Sequence, residues 1–373
     1  MKKVISLVLT LTLLCSLLAG CSAFAGNPAA TDGTADTSKS TGEDVTINVY
    51  NWGQYIANGD DGAIDVIAMF EEKYPNIHVN YTTYDTNETL YTKLKTGGIS
   101  VDVIIPSDYM IARMIEEDML LPLDFDNIPN YSYIDEAYKN TAFDPENKYS
   151  VPYTWGSVGI IYNKKYVDEA DVTGWELLWN EKYAGKVLMF GNSRDAFGIA
   201  EYLLGYDVNT TDETELQACA DKLAEQKPLV QQYIMDEVFE IMENEEAWIA
   251  PYYAGDYLTM SAVNEDLGFY FPESEGFNVF IDSICIPKCC QNKEAAETFI
   301  NFLCEPEISG GNLDWIGYST PETAARDYLD PEVASSPVAY PSAETLSHGT
   351  SFLGLPSETT QLMEDLWLKA KIS

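Results

Sequence analysis

The sequence is poor in basic residues and has almost no histidine. Its 373 residues include 21 Lys and Arg against 60 Asp and Glu, and only 2 His, which gives a net charge of -39. Nucleic-acid binding needs clustered Lys and Arg, so this function is excluded. His78, in a predicted strand, and His348, near the C-terminus, are too few for a histidine-rich metal site or a histidine triad. We expect no nucleic-acid partner, no metal and no cofactor.

Long apolar runs are scarce apart from one at the N-terminus. Lys2 and Lys3 precede an apolar run over residues 4–18, which is too short for a membrane span and has the layout of a secretory signal. The run ends in Leu18-Ala19-Gly20-Cys21, which is similar to a bacterial lipobox. We predict a lipoprotein signal peptide at 1–20 and lipidation of Cys21, with cleavage elsewhere as the alternative. Residues 21–43 contain few large apolar side chains and are predicted to be a flexible tether.

The remaining cysteines lack the spacing of zinc ligands. Beyond Cys15 in the signal and the lipidation candidate Cys21, five are left, which are Cys219, Cys285, Cys289, Cys290 and Cys304. Five is an odd number, so at least one of them is unpaired. We expect buried free thiols, with one disulfide as the alternative in an oxidising exterior.

The rest of the chain has the composition and periodicity of a folded α/β protein. A content of 46% hydrophobic and 12% aromatic residues supports a large core, and the length favours two domains. Predicted strands alternate with predicted helices, which is typical of parallel βαβ units. The strands are predicted at 45–50, 77–81, 101–105, 158–162, 186–190, 247–252, 268–271 and 279–286, and helices at 88–95, 196–204 and on both sides of Pro228.

Aromatic rings and single carboxylates follow several of these strands, where ligands bind in open α/β sheets. An aliphatic ammonium fits such a set, because carboxylates balance its charge and aromatic faces contact its methylene groups. Asp282 is notable because it lies inside an apolar strand, where an unpaired charge is costly. Each residue also has a structural explanation. Asp195 and Asp108 could each stabilise a helix N-terminus. Trp52 and Tyr253 could be core residues, and Asp282 could form a buried ion pair with a basic residue.

Enzyme motifs are absent. The chain contains no G-x-S-x-G, Walker A, H-E-x-x-H or EF-hand sequence. Paired carboxylates in an aromatic cleft leave a glycosidase open as an alternative.

Six collinear stretches resemble the spermidine/putrescine-binding proteins of bacterial polyamine ABC importers. They are YNWGQYI (50–56), YDTNETLYTKLKTG (84–97), VDVIIPSDYMI (101–111), FDPENKYSVPYTWGSVGIIYN (143–163), FIDSICIP (280–287) and IGYSTPETAAR (316–326). The resemblance implies a type II periplasmic-binding-protein fold, with two α/β lobes and the ligand cleft between them. It places lobe 1 at 44–152 plus 280–326 and lobe 2 at 153–279 plus 327–373, with crossings near 153–157, Phe280 and Arg326.

The resemblance also implies the ligand-binding residues, with no catalytic residue among them. They are Trp52, Gln54, Tyr55, Ser107, Asp108, Asp195, Tyr253, Asp256, Phe280, Asp282 and Tyr318. Four positions depart from the family pattern, namely Gly53, Gln54, Asn192 and Phe352, so the preferred polyamine stays open. Asp256 and Asp282 are expected to bind one ammonium, and Asp195 with Gln54 and Asp108 another group.

The function that the resemblance implies is binding rather than catalysis. We expect a monomeric, lipid-anchored extracytoplasmic protein, in a periplasm or on a Gram-positive surface, that captures putrescine and/or spermidine. It would deliver this ligand to an ABC transporter permease. Binding of another cation or of ferric iron, which the adjacent Tyr252 and Tyr253 suggest, is the alternative within the same fold. A second alternative is a member of this family that no longer binds a small ligand and interacts only with other proteins.

Overall fold

The computed structural model describes residues 44–372, which form helices and a mixed sheet. The strands are β1 (Val45–Trp52), β2 (Ile77–Tyr84), β3 (Val103–Ile104), β4 (Ser150–Asn163), β5 (Val187–Phe190), β6 (Val230–Ile234), β7 (Ile249–Tyr253), β8 (Leu267–Tyr270), β9 (Phe277–Cys285) and β10 (Gly349–Thr350). The α-helices are α1 (Val66–Lys73), α2 (Asn87–Thr96), α3 (Asp108–Glu116), α4 (Ser193–Leu204), α5 (Glu213–Gln226), α6 (Val238–Glu243), α7 (Ala254–Val263), α8 (Lys293–Leu303), α9 (Pro306–Ile316), α10 (Pro331–Ala334), α11 (Ala343–Leu346) and α12 (Ser357–Ile372). The predicted α/β class is confirmed.

The strands follow the order β2-β1-β3-β9-β4-β7-β5-β6, with β8 paired to β4 and β10 to β9. Strand β1 runs parallel to β2 and β3, and β5 runs parallel to β6 and β7. The central pairs β3–β9, β9–β4 and β4–β7 are antiparallel. The expectation of parallel units is therefore confirmed on both sides of the sheet and is wrong at its centre, where β4 and β9 join the two parallel parts.

Strand β4 is far longer than the predicted segment 158–162. It spans Ser150–Asn163, is buried along almost its whole length, and pairs with β9 from Ser150 opposite Cys285 to Ser157 opposite Val279. The register shifts between Pro152 and Thr154, which is consistent with a proline that cannot donate to the ladder. Proline and glycine within the segment concealed the strand in the sequence. The predicted crossings at 153–157 and Phe280 lie on these two strands, with Gly156 opposite Phe280.

The prediction of helices on both sides of Pro228 is half wrong. Helix α5 precedes this proline, but a 3-10 turn at Lys227–Leu229 leads into strand β6, which pairs with β5 from Val187 to Phe190. A proline lacks the N–H that a helix interior requires, so the helix ends before it. Strand β6 and the loop that follows it are therefore additions to the predicted elements.

Packing of the C-terminal segments completes the fold. Helix α12 packs against α4 and α5, and the 3-10 helix Thr323–Tyr328, which contains Arg326, packs against α9. Side chains cap several helices, as Asp65 does for α1 and Asp212 for α5, each accepting hydrogen bonds from first-turn N–H groups. The buried apolar residues form one large cluster and a smaller one around β3, α2 and α3.

The cysteines of this part of the chain are free thiols. Cys219, Cys285 and Cys304 are buried as expected, whereas Cys289 and Cys290 are half-buried. The predicted signal, Cys21 and the tether lie outside the described residues. Between residues 44 and 372, no helix is both long and apolar enough to cross a membrane.

Candidate ligand-binding site

A cleft at the carboxyl ends of several strands brings the predicted residues together. It contains about 720 Å³ free of protein atoms, part of it open to solvent. Trp52 ends β1, Ser107 follows β3, and Tyr253 ends β7. The predicted residues that line the cleft are Trp52, Tyr55, Ser107, Asp108, Asp195, Tyr253, Asp256, Phe280, Asp282 and Tyr318. The rule that ligands bind at the carboxyl ends of strands, here called the strand-end rule, thus identified side chains that lie close together in space although they are far apart in sequence.

Asp282 is a buried carboxylate on β9. Its Oδ2 accepts a hydrogen bond from the Tyr55 hydroxyl at 2.6 Å, and that hydroxyl lies 2.7 Å from Thr154 Oγ1 on β4. Its Oδ1 is buried and makes no hydrogen bond of standard geometry with the described residues, although the Ser107 side chain lies close to the carboxylate. Burial raises the pKa of Asp282 to about 6, and the hydroxyl groups of Tyr55 and Ser107 act in the opposite direction. The site therefore holds a carboxylate oxygen able to accept a further donor.

Asp256 lies in the first turn of α7. Its Oδ2 accepts from the Tyr318 hydroxyl at 2.9 Å, and burial raises its pKa to about 8. Gly255 permits the contact, because a Cβ there would lie 2.3 Å from Cδ2 of the Tyr318 ring. The tyrosine ring is thus pressed against the helix start, with its hydroxyl directed at the carboxylate.

Asp195 lies in the first turn of α4. Its Oδ2 accepts from Asn192 Nδ2 at 2.7 Å and from the Tyr253 hydroxyl at 2.8 Å, while Asn192 Oδ1 caps the helix by accepting from the Asp195 N–H. Burial raises the pKa of Asp195. The adjacent Arg194 donates to Val208 O and lies 4.0 Å from the centre of the Phe352 ring. Asp195 therefore has both a helix-terminal position and a place on the cleft wall.

Asp108 is the most enclosed of the predicted acids. It begins α3, its Oδ1 accepts from the Tyr109 N–H at 2.7 Å, and its side chain is 2% exposed. Burial raises its pKa to about 8. Within residues 44–372, no ion pair includes Asp108, Asp195, Asp256 or Asp282. The alternative explanation of Asp282 as half of a buried ion pair therefore has no support among these residues. Arg194 lowers the pKa of Asp108 and of Asp195 without forming an ion pair with either.

Aromatic rings form the wall between these acids. Tyr253 lies 5.5 Å from Phe280 between ring centres, and Phe280 lies 6.3 Å from Tyr318. The indole of Trp52 donates to Ile105 O at 2.8 Å, so its ring is fixed with its N–H already used. Gly156 lies under Phe280, since a Cβ there would be 2.7 Å from Cζ of that ring. Such faces suit methylene groups and cations.

Gln54 is the predicted residue that the fold does not bring to the cleft. It follows the end of β1 in a turn with φ 51, its side chain is exposed, and it is not among the lining residues. The turn directs the neighbouring Trp52 and Tyr55 inward instead. Gln54 therefore lies outside the lining of this cleft, and its predicted role in ligand binding has no support from this geometry.

Sequence reasoning also missed residues of the lining, above all the acids Glu88 and Asp236. Glu88 lies just after β2, and Asp236 follows β6, the strand that was not predicted. The strand-end rule, applied to these two strands as well, would have found both. The other missed lining residues include Thr86, Asn87, Tyr109, Met235, Phe239 and Asn278.

A metal centre has no support in this part of the chain. No group of three or more His, Cys, Asp or Glu within residues 44–372 could hold a metal ion. Tyr252 is 1% exposed, and its ring stacks on Phe190 at 5.5 Å between ring centres. Burial raises the pKa of both Tyr252 and Tyr253 well above the ordinary value of tyrosine.

A cleft of this kind in a two-lobed α/β fold defines a solute-binding protein, and the family comparison agrees. The model of the family described as bacterial extracellular solute-binding protein matches residues 65–341. The chain therefore belongs to this family, and the expected two-lobed fold is confirmed.

Among individual proteins, the chain is similar to the spermidine/putrescine-binding periplasmic protein of Escherichia coli K12. The two are 35% identical over 305 residues, which cover 82% of this chain and 85% of that relative. It is 30% identical to a putrescine-binding periplasmic protein of Pseudomonas aeruginosa, over 88% of this chain and 92% of the relative.

The chain is also similar to solved structures of proteins of this kind. A spermidine/putrescine ABC transporter protein of Listeria monocytogenes, described as putative, superposes with a TM-score of 0.83 at 35% identity. The match covers 88% of this chain and 99% of that structure. A lipoprotein of Treponema pallidum superposes with a TM-score of 0.77 at 29% identity, over 88% and 100% of the two chains.

Proposed function

We propose that this protein captures a polyamine, putrescine and/or spermidine, outside the cytoplasm and delivers it to an ABC importer. The observation that carries the proposal is a set of buried carboxylates that have no paired base and are separated by aromatic rings. A buried charge without a partner is costly, and a protonated amine removes that cost by supplying both charge and hydrogen-bond donors. The names of the relatives from Escherichia coli and Pseudomonas aeruginosa support the same ligand class.

The predicted residues divide into two groups along the wall. Asp256 and Asp282, with Tyr55 and Tyr318 as their hydrogen-bond donors, would bind one ammonium of the polyamine. Asp195 would bind another, with Tyr253 and Phe280 along the intervening methylene groups. Trp52, Ser107 and Asp108 complete the lining. No chemistry on the ligand is part of the proposal, in keeping with a family of solute-binding proteins.

The division into lobes belongs to the same proposal. Lobe 1 would comprise residues 44–152 and 280–326, and lobe 2 residues 153–279 and 327–373. Packing of α12 on α4 and α5 supports the placement of the C-terminus in lobe 2.

The proposed lipid anchor at Cys21 is supported by the lipobox-like sequence and by the Treponema pallidum relative, which is described as a lipoprotein. Loss of palmitate labelling in Cys21→Ser tests the anchor. We further propose that the protein acts as a monomer.

Thermal unfolding and calorimetry with a ligand panel test the function. The panel contains putrescine, cadaverine, spermidine, spermine, ferric citrate and an oligosaccharide mixture. A ligand that binds only the folded state raises the unfolding midpoint, so at least one polyamine should raise it. Stabilisation by ferric citrate or by a sugar, with no effect of any amine, would show that the ligand class is wrong.

A further inference from the structure

Glu88 lies on the cleft wall and is not needed to cap its helix. Helix α2 begins at Asn87, and Thr86 caps it by accepting a hydrogen bond from the Thr89 N–H at 3.1 Å. Both Glu88 and its neighbour Asn87 line the cleft. Burial raises the pKa of the Glu88 carboxylate, and its own backbone N–H, which lies close to it in the first turn, acts in the opposite direction. The same side chain faces the cleft.

The two carboxylate oxygens of Glu88 have different surroundings. Oε1 accepts a hydrogen bond from the Tyr109 hydroxyl at 3.0 Å, and that hydroxyl accepts one from Asn87 Nδ2 at 3.0 Å. Oε2 is buried and has no donor among residues 44–372. No ion pair of the described residues includes Glu88, although Glu88 also lines a second, smaller cavity that it shares with Arg113 and Arg194. A buried carboxylate oxygen without a donor is unfavourable, so a donor at this position would stabilise it.

Glu88 lies at the Asp195 end of the cleft. The two carboxylates repel each other, and Tyr109, the donor to Glu88, also lies on the cleft lining. From Asp195 the wall continues through the Tyr253 hydroxyl, its ring and the Phe280 ring to Tyr318, the donor to Asp256. The cleft thus has a group of acids at each end of an aromatic wall. Each group contains one buried carboxylate oxygen that makes no hydrogen bond of standard geometry with the described residues, on Asp282 and on Glu88.

We propose that Glu88, together with Asp195, binds the second ammonium of a diamine or polyamine whose first ammonium is bound by Asp256 and Asp282. This inference rests on the proposed function and adds to it a residue and a ligand requirement. The cleft selects molecules with two cationic ends, because a monoamine leaves one group of acids without a counter-charge. Glu88 thus has the role, beside Asp195, that was expected for Gln54.

Calorimetry on the purified full-length protein tests this with Glu88→Gln, which keeps the shape and removes the charge. We expect the affinity for putrescine to fall at least about tenfold. The affinity for n-butylamine should change less than about threefold, because a monoamine still has Asp256 and Asp282 available. Glu240→Gln is the control, since Glu240 is an exposed acid that does not line the cleft, and it should leave both affinities unchanged.

The outcomes separate the two proposals. If the wild type binds putrescine and Glu88→Gln binds it equally well, Glu88 is not a ligand-binding residue, and the proposed function stands. If the wild type binds no amine, both proposals are wrong. The unfolding midpoint of Glu88→Gln should equal or exceed that of the wild type, because a buried charge has been removed. Should that variant be unfolded, Glu88→Asp, which withdraws the carboxylate by one methylene, must show the same selective loss of putrescine affinity.

Discussion

At the scale of single residues, the cleft places carboxylates in surroundings that favour their neutral form. Asp282, Asp256 and Asp108 are each at least nine-tenths buried, and none forms an ion pair among the described residues, although Arg194 lowers the pKa of Asp108 from a longer distance. Natural proteins seldom keep such groups without a compensating role. The hydrogen bonds from tyrosine hydroxyls position the carboxylates but do not neutralise them.

Replacement of Asp282 by Asn should separate binding from stability. We expect polyamine affinity to fall more than about tenfold, because the ammonium loses its counter-ion. The unfolding midpoint of the unliganded protein should not fall, because a desolvated charge has been removed. Calorimetry and thermal unfolding measure the two effects. Glu240→Gln, at an exposed acid on α6, is the control and should change neither. An unchanged affinity of Asp282→Asn would remove Asp282 from the site.

Polyamine binding should release protons near neutral pH. Burial raises the pKa of Asp256 and of Asp108 to about 8, so both are largely protonated at pH 7 in the unliganded protein. An adjacent ammonium favours the ionised carboxylate, so binding displaces protons and affinity weakens as pH falls from about 9 to about 6. Calorimetry in buffers of different ionisation enthalpy measures the proton count. Asp256→Asn should release fewer protons, and a buffer-independent enthalpy in the wild type would contradict the prediction.

The same pKa shifts affect folding stability with a definite sign. A carboxyl group whose pKa is higher in the folded than in the unfolded state binds more protons when folded. The contribution of Asp256 and Asp108 to the free energy of unfolding is therefore greatest below the unfolded pKa, near 4, and is lost as pH rises towards about 8. A bound polyamine should offset this loss.

At the scale of elements, the start of α7 joins packing to ligand binding. Gly255 allows the Tyr318 ring to lie against the helix, and Tyr318 in turn donates to Asp256. Glycine at position 255 therefore weakens the helix but permits the contact with Tyr318, so these two effects on stability are opposed.

Gly255→Ala decides which effect is larger. Helix propensity alone would stabilise the protein by about 1 kcal/mol. The added Cβ would lie 2.3 Å from the Tyr318 ring, and overpacking costs about 1–3 kcal/mol. We expect a lower unfolding midpoint and a several-fold loss of polyamine affinity as the Tyr318 hydroxyl leaves Asp256. Val263→Ala, at an exposed position of the same helix, should show neither change. A higher midpoint in Gly255→Ala would mean that the ring moves away without cost.

The accuracy of prediction from sequence differed from one secondary-structure element to another. The strands with continuous β-branched or apolar runs, such as β1 and β9, were predicted close to their observed bounds, and so were the residues that follow them. Strand β4 was mostly missed because its Pro and Gly residues are tolerated only through pairing with β9, which is a tertiary contact. Gln54 was misplaced because a turn with positive φ, and not strand alternation, sets its direction. Glu88 has no local signal beyond its place after a strand.

At the scale of the whole molecule, the excess of acids is far larger than the site requires. The net charge is -39, and the acids of the cleft are a small part of it. The remaining charge creates a negative potential that attracts cations over distances set by ionic strength.

Association with a dication should therefore depend on salt. Raising ionic strength from about 0.01 M to about 1 M shortens the Debye length from about 30 Å to about 3 Å. We expect the association rate of putrescine to fall at least about threefold, and that of n-butylamine to fall less because it carries one charge. Stopped-flow measurement of tyrosine and tryptophan fluorescence follows both. Equal salt dependence of the two ligands would argue against steering by the overall charge.

The pairing of β4 with β9 has a consequence for the site. These two strands join the parallel parts of the sheet, and β9 carries Phe280 and Asp282 on the same segment that connects them. The register shift at Pro152 and Thr154 lies directly opposite, where Thr154 contacts the Tyr55 hydroxyl that holds Asp282. The carboxylate proposed to bind the ligand and the strand that joins the two parallel parts of the sheet therefore belong to one segment of backbone.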